Sequence, residues 1–295
     1  MKFGQHQTFH LRVNWLRKGI FMVHKDSRFF YDKEAAEKVG LGKNMVQSLK
    51  FWMMLTNIIK ETKETETKKT IHEITRFGKI IDDYDPYLNY SDTISLLHFS
   101  ILNQAEPLTV WDWFFNINSN KVSTKEEIIN EIISWALLAN ADPQEKSIKR
   151  DVDCLLRLYT SGVASDPEEV TQSPLSKLEL LTDNKGLIKK NAIGYKAVGI
   201  SALLYVLLAY GEINETKSIS VDEIENSPNL WGKIYQLSRV EIIKALEILE
   251  NHPLYPISFI KTNSLNDILL PQISSVEFLE SEYKMKEEQV LYEYA

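Results

Sequence analysis

The stretch DKEAAEKVGLGKNMVQSLKFWMMLTNIIKETKETETKKTIHEIT, residues 32–75, decides how the chain is read. Asp32 is an N-capping residue type, so Lys33 to Val39 are expected to form a short helix that stops at Gly40. Gly40-Leu41-Gly42 is a tight turn. From Lys43 to about Lys60 a longer helix is expected, because Met45, Val46, Leu49, Trp52, Met53 and Leu55 recur at helical spacing. Lys43, Gln47 and Lys50 share one stripe beside that apolar face. The polar run Glu61 to Lys69 then ends in the β-leaning Thr70 to Thr75. Helix, glycine turn, helix and charged hairpin follow the order of a winged helix-turn-helix, whose second helix enters the DNA major groove. Helix pairs joined by glycine also occur in folds that never meet nucleic acid.

Charge separates the two readings. The net charge is −7, yet residues 1–80 hold 16 Lys/Arg against 8 Asp/Glu and carry +8. The remaining 18 basic and 33 acidic residues leave residues 81–295 at −15. A chain that touches a polyanion at one end shows this split, although a basic stretch alone is equally a solvated face. At 295 residues, 44% hydrophobic and 25% charged, the chain is neither a disordered tail nor a small disulfide-stapled domain. The lone Cys154 excludes an internal disulfide, and its apolar setting beside Leu155 and Leu156 argues for a buried thiol. No secretory leader is evident. The longest apolar run, Ala197 to Tyr210, is shorter than the roughly 18 residues of a membrane helix, so no membrane partner and a cytoplasmic protein are expected.

Beyond residue 80 helices dominate. Asp82, Asp83 and Asp85 read as a loop leading through Pro86 into a buried helix around Thr93 to Phe99. Trp111 to Phe115 is an aromatic core block. Thr124 caps a helix to about Ala139, Ser147 caps one from Lys149 to Tyr159, and Pro174 opens a short helix. Thr182 to Gly186 turn between two apolar stretches. The last third adds an apolar helix near 195–210, a segment capped by Ser220, a helix from Ser238 to about Glu250, and a β-like tail at Ile257 to Ile260 and Leu269-Leu270. There is no exact internal repeat. The expected fold is mainly α: a winged helix-turn-helix N-terminal domain (1–85), then a helical, winged-helix-like middle domain (86–190) and a helical C-terminal domain (191–295), with short β-hairpins.

The opening Gly4-Gln5-His6-Gln7-Thr8-Phe9-His10-Leu11-Arg12-Val13-Asn14-Trp15-Leu16-Arg17-Lys18 resembles one bacterial family closely. The likeness continues through Gly40 to Val46, Asp85-Pro86-Tyr87-Leu88, Thr93, Leu96-Leu97-His98, Phe115-Asn116, Arg150-Asp151-Val152 and Ser173-Pro174-Leu175. These blocks span roughly residues 3–175 in the right order, and the last third matches only in general character. The family is the SspB-like DNA nickase family of single-strand DNA phosphorothioation systems, formerly a domain family of unknown function. The resemblance implies a part in anti-phage defence beside a sulfur-transfer enzyme and an ATPase, and DNA nicking as the activity. That implication is analogy rather than physics.

Phosphodiester cleavage needs an activated nucleophile, stabilisation of extra negative charge and usually a divalent metal. Asp82 and Asp85 are the candidate ligands for Mg²⁺ or Mn²⁺, against the plainer reading in which Asp85-Pro86 merely starts a turn. Candidate catalytic residues are His6, as acid or base, with Arg12 on the phosphate and Asp85. His6 would equally serve as a core hydrogen-bonding group, and His98 reads as one. Candidate contacts to double-stranded DNA are Arg12, Lys18, Lys43, Asn44, Gln47 and Lys50. Gly40-Leu41-Gly42-Lys43 lacks the spacing of a phosphate-binding loop, so no nucleotide cofactor is expected. Two other functions stay open: a non-catalytic DNA-docking adaptor for the sulfur-transfer enzyme, and a winged-helix transcription regulator. The second would normally be a palindrome-reading dimer.

Overall fold

The computed structural model describes all residues except 2, 107, 142, 162–171, 262–265, 294 and 295, and no side chain from 289 onward. The elements run α1 (Trp15–Lys25), α2 (Ala35–Val39), α3 (Lys43–Leu55), β1 (Ile59–Lys63), β2 (Thr70–Ile74), α4 (Arg76–Tyr84) and α5 (Ser91–Leu102). Then come α6 (Thr109–Asp112), which continues as one π-turn (Trp113–Ile117), β3 (Val122–Thr124), α7 (Lys125–Leu138) and α8 (Glu145–Tyr159). A 3₁₀ turn (Pro174–Leu178) precedes β4 (Leu181–Asn184), β5 (Leu187–Lys190), α9 (Tyr195–Val198) and α10 (Ile200–Ile213). The chain ends with β6 (Ser218–Ser220), α11 (Val221–Asn226), α12 (Trp231–Ile234), α13 (Arg239–Leu249), β7 (Ser258–Lys261), β8 (Asn266–Leu269) and α14 (Ser275–Glu293). The protein is mainly helical with small antiparallel sheets, and no described helix is long and apolar enough to cross a membrane.

The helix, glycine turn, helix and hairpin of residues 32–75 are present, with boundaries that differ from the sequence reading for local reasons. Gly40 takes the left-handed conformation (φ 67°) that ends a helix. Asp32 does not cap: its carboxylate accepts from the Glu34 N–H in a turn and pairs with Lys38, so α2 starts at Ala35. α3 stops at Leu55 rather than Lys60 because Asn57 turns left-handed (φ 58°) and Ile59 already pairs with Ile74. Asp82 and Asp83 lie inside α4, which Thr75 caps by accepting from the Gly78 N–H, and not on a loop. α8 begins at Glu145, so Ser147 sits in its first turn and is not its cap. Gly199, at φ 97°, splits the apolar stretch into α9 and α10, and a Cβ there would overlap the Asp92 carboxylate. Helix α14 follows the β-like tail, where the residue pattern predicts no further helix.

The sheets show a repeat that the sequence does not. β3, α7, α8 and the β4–β5 hairpin give strand order 3-5-4. β6, α11, α13 and the β7–β8 hairpin give order 6-8-7. In each unit the first strand pairs with the last, and a capping box opens the following helix, Thr124 with Glu127 and Ser220 with Glu223.

α5 carries the packing. From Asp92 to Leu102 all but Ser100 are buried, against the 3₁₀ turn, α6, α9 and α10, so each of its polar side chains must find a partner inside. Ser95 donates to the Val198 carbonyl (2.8 Å). Asp92 accepts from the Ala202 N–H (2.8 Å) and pairs with Lys286 of α14 (2.6 Å). Burial lowers the His98 pKa to about 4, so the ring is neutral. Its Nε2–H must donate to the Ile234 carbonyl (2.8 Å), leaving Nδ1 to accept from the Tyr159 hydroxyl (2.7 Å).

This ring sets a pH dependence. Unfolded, His98 returns to about 6.5 and binds a proton that the folded state refuses. Its share of stability is complete above that value and is lost as pH falls from about 6.5 towards 4, with a slope of about 1.4 kcal/mol per pH unit. Urea unfolding of wild type and His98→Gln across that window should differ in slope by one proton; parallel curves would show that His98 titrates normally.

Candidate nucleic-acid interface and the His6–Asp151 pair

One exposed basic feature is the outer face of α1. The helix contains no Asp or Glu. Trp15, Leu16, Gly19, Ile20 and Val23 face inward, which leaves Arg17, Lys18, Phe21 and Lys25 outside. The Arg17 guanidinium lies 4.7 Å from the centre of the exposed Tyr87 ring, and Lys25 Nζ lies 4.1 Å from that of Phe21. Cations held against open aromatic faces suit phosphates on one side and bases on the other. Of this face the sequence reading picked out only Lys18. Arg17, Phe21 and Lys25 share its helical stripe, but the period alone did not say which side packs.

On α3, Lys43, Asn44 and Gln47 are exposed and carry no side-chain hydrogen bond or ion pair among the described residues. Lys50 differs. It donates to Glu61 of β1 (2.6 Å), which also accepts from the Tyr31 hydroxyl (3.0 Å), so the hairpin neutralises that end of the stripe. Lys50 is the main cause that holds the Glu61 carboxyl below the usual range. His72 lies 3.4 Å from Glu61, and its pKa is lowered by burial and then by Lys50.

The two candidate metal ligands do not fit a metal. Asp85 is buried and its oxygens are occupied by the N–H groups of Asn89 (2.7 Å) and Tyr90 (3.0 Å) and by the Thr93 hydroxyl (2.6 Å), which fastens the start of α5. Asp82 pairs with His24 (3.1 Å). Among the described residues no three His, Cys, Asp or Glu side chains lie close enough to hold a metal ion. Cys154 is buried, and burial pushes its thiol well up, away from the thiolate a sulfur carrier needs.

His6 belongs to a different construction. Its Nε2–H donates to Asp151 of α8 (2.9 Å), and the same carboxylate accepts from the Gly4 N–H at 2.8 and 3.0 Å. Three residues on, the Phe9 carbonyl accepts from Trp52 Nε1 (2.9 Å) and Ser48 (3.2 Å) of α3, with Cys154 Sγ of α8 at 3.8 Å. The N-terminal segment is thus a strap across α3 and α8. His6 is 1% exposed, and its Nδ1 is buried without a hydrogen-bond partner among the described residues. A histidine whose one nitrogen is fixed by a carboxylate and whose other is uncommitted is the usual arrangement of an oriented general base. Arg12 is half-buried, 5.6 Å from the Trp15 ring centre, with its Nε equally without a partner among those residues. The sequence reading missed Asp151 as a site residue, because its partners are more than a hundred positions away.

Asp151→Ala should cost about 3 kcal/mol in urea unfolding, since it strands both His6 and the Gly4 N–H inside the protein. It should also speed proteolysis before α1. Unchanged stability and unchanged cleavage would show that the Phe9 carbonyl holds the strap alone.

No curated protein sequence matches the chain. Solved structures do. A magnesium-ion-bound crystal structure of SspB superposes with a TM-score of 0.85 at 21% identity over 96% of this chain and 88% of that one. A second SspB crystal structure gives 0.84 at 21% identity over 97% and 87%. At that identity the likeness establishes the fold. A family model described as protein of unknown function (DUF4007) matches residues 3–283. The chain is therefore a member of the DUF4007 family, built on the SspB fold.

Proposed function

We propose that this protein is a DNA-binding component of a bacterial DNA phosphorothioation system. The observation that carries the reading is the outer face of α1, a helix with no acid of its own, with Arg17, Lys18 and Lys25 set among exposed Phe21 and Tyr87. Lys43, Asn44 and Gln47 at the start of α3, exposed and without a partner among the described residues, extend it. We read residues 1–85 as a winged helix with α3 as its recognition helix, and residues 86–190 and 191–295 as two further units of that type. Their strand orders 3-5-4 and 6-8-7 support this, since a winged helix also places its first strand beside its last. α14 runs back from the third unit to pack on α4 of the first. A sulfur-transfer enzyme and an ATPase are the partners this reading implies.

Nicking is the second reading, and the His6–Asp151 pair favours it. In that reading the base is already held in one tautomer by its carboxylate, and DNA reaches its Nδ1 with the strap still anchored to Asp151. In the docking alternative the pair only anchors the strap, and the acidic surface beyond residue 80 recruits the sulfur-transfer enzyme.

The test is DNA affinity as a function of salt. Replacing Arg17, Lys18 and Lys25 together by Gln should weaken duplex binding about tenfold or more and flatten the log–log salt slope by about 2.7 for three phosphates. Glu61→Gln should release Lys50 and strengthen binding. An unaltered slope in the triple variant contradicts the interface. On supercoiled plasmid, open circles formed by wild type and lost in His6→Gln with binding intact would make the protein the nickase; binding without nicking would make it the adaptor.

A further inference from the structure

A second group of cations lies far along the chain from α1, in the part whose net charge is −15. A groove of about 700 Å³ opens between the 3₁₀ turn, the end of β5 and the start of α9. Lys121, Lys177, Lys189 and Lys190 line it, and the one carboxylate on its wall is Glu179. Sheet pairing brings three of them together: Lys189 sits opposite Val122, and the Lys190 N–H donates to the Lys121 carbonyl (2.9 Å).

None of the four has a carboxylate partner among the described residues. Lys121 donates to the side-chain carbonyl of Gln236 (2.8 Å), and Lys177 to the Leu88 carbonyl (3.2 Å). Lys189 has no side-chain partner there. Lys190 is 5% exposed and donates to the carbonyls of Phe114 (2.5 Å) and Asn118 (2.6 Å). Every one of these acceptors is neutral. Some lysines elsewhere do meet a carboxylate, as Lys50, Lys60, Lys149, Lys244 and Lys261 show; what sets the groove apart is that four without one share a single wall. In a protein with surplus acid, a groove walled by uncompensated ammonium groups is an electrostatic cost unless an anion relieves it.

Lys190 is perturbed first by its own burial and only then by the neighbouring cations. Its pKa falls from 10.5 to about 7, mainly through burial and then through Lys121 and Lys233, with Glu131 opposing. The inward-facing position of Lys190 on β5 would suit an apolar residue, and its neighbour Ile188 is one.

We propose that this groove binds phosphate groups, those of a DNA strand. The groove follows the backbone while the α1 face meets the strand elsewhere, so the chain would hold DNA at two places. Phosphate is the chemistry the lysines recognise; the strand as its source rests on the DNA-binding reading above.

The test uses the full chain carrying Lys121→Gln, Lys177→Gln and Lys189→Gln together, and Lys189→Gln alone. Lys190 is left in place because its loss would remove the donor to the buried Phe114 carbonyl and to the half-buried Asn118 carbonyl. A labelled DNA duplex and inorganic pyrophosphate are the probes, with thermal unfolding as the control. The triple variant should bind duplex about tenfold more weakly, with the salt slope shallower by about 2.7, and Lys189→Gln should lower the slope by about 0.9. If the triple variant fails to fold, the exposed single variant decides by the same slope. Duplex binding unchanged, with pyrophosphate held by wild type and lost in the variant, would overturn the strand as the source. A wild type that holds pyrophosphate here but binds no DNA would overturn the DNA-binding reading and, with it, the strand as the source, leaving a site for another phosphate. Wild type and variants alike towards both probes would overturn the proposal.

Discussion

The neutral imidazole of His98, donating to the Ile234 carbonyl and accepting from Tyr159, ties the buried helix α5 to α8 and α12 at once. Phe115, Tyr159 and Tyr235 surround the ring with centroids within 5.6 Å, so water cannot replace a lost partner. The same economy runs along the helix. Ser95 bonds to Val198 ahead of Gly199, Asp92 fastens the first turn of α10, and Thr93 links Asp85 to Tyr283 of α14. A helix buried on every side can carry polar residues only if its neighbours are placed to meet them, and this requirement fixes where α8, α10, α12 and α14 lie.

Much of this order was legible in the residues. The period of Met45, Val46, Leu49, Trp52 and Met53 located α3, Thr124 and Ser220 marked real helix starts, and the aromatic block at 111–115 is core. What escaped depended on single backbone torsions or distant surfaces. Asn57 and Gly199 end elements by taking positive φ, which an apolar period cannot report. α14 has too even a mix of charge and apolar residues to show a clear face, and it is a helix because α4 and α10 offer it a surface.

The candidate site was legible to a lesser degree, because residue type does not reveal charge compensation. Lys50 reads like Lys43 in the sequence, yet Glu61 neutralises it from across the hairpin. Asp85 reads like a metal ligand and is instead filled by three donors that begin α5. His6 needed Asp151, and the lysines of the groove needed a sheet to bring residues 121 and 190 side by side. In an acidic chain the informative cations are those left without a carboxylate. Among those without one in the described residues, Lys18 and Lys25 lie on the α1 face, Lys43 at the start of α3 and Lys189 on the groove wall, where each stands in a cluster that a polyanion can meet.

Lysine acetylation footprinting of the intact protein, with and without a DNA duplex, tests that principle directly. Protection should appear at Lys18, Lys25, Lys43 and Lys189, while the carboxylate-paired Lys149 and Lys244 acetylate at the same rate in both states. Protection of the paired lysines with none at the uncompensated ones would show that the DNA contact lies elsewhere.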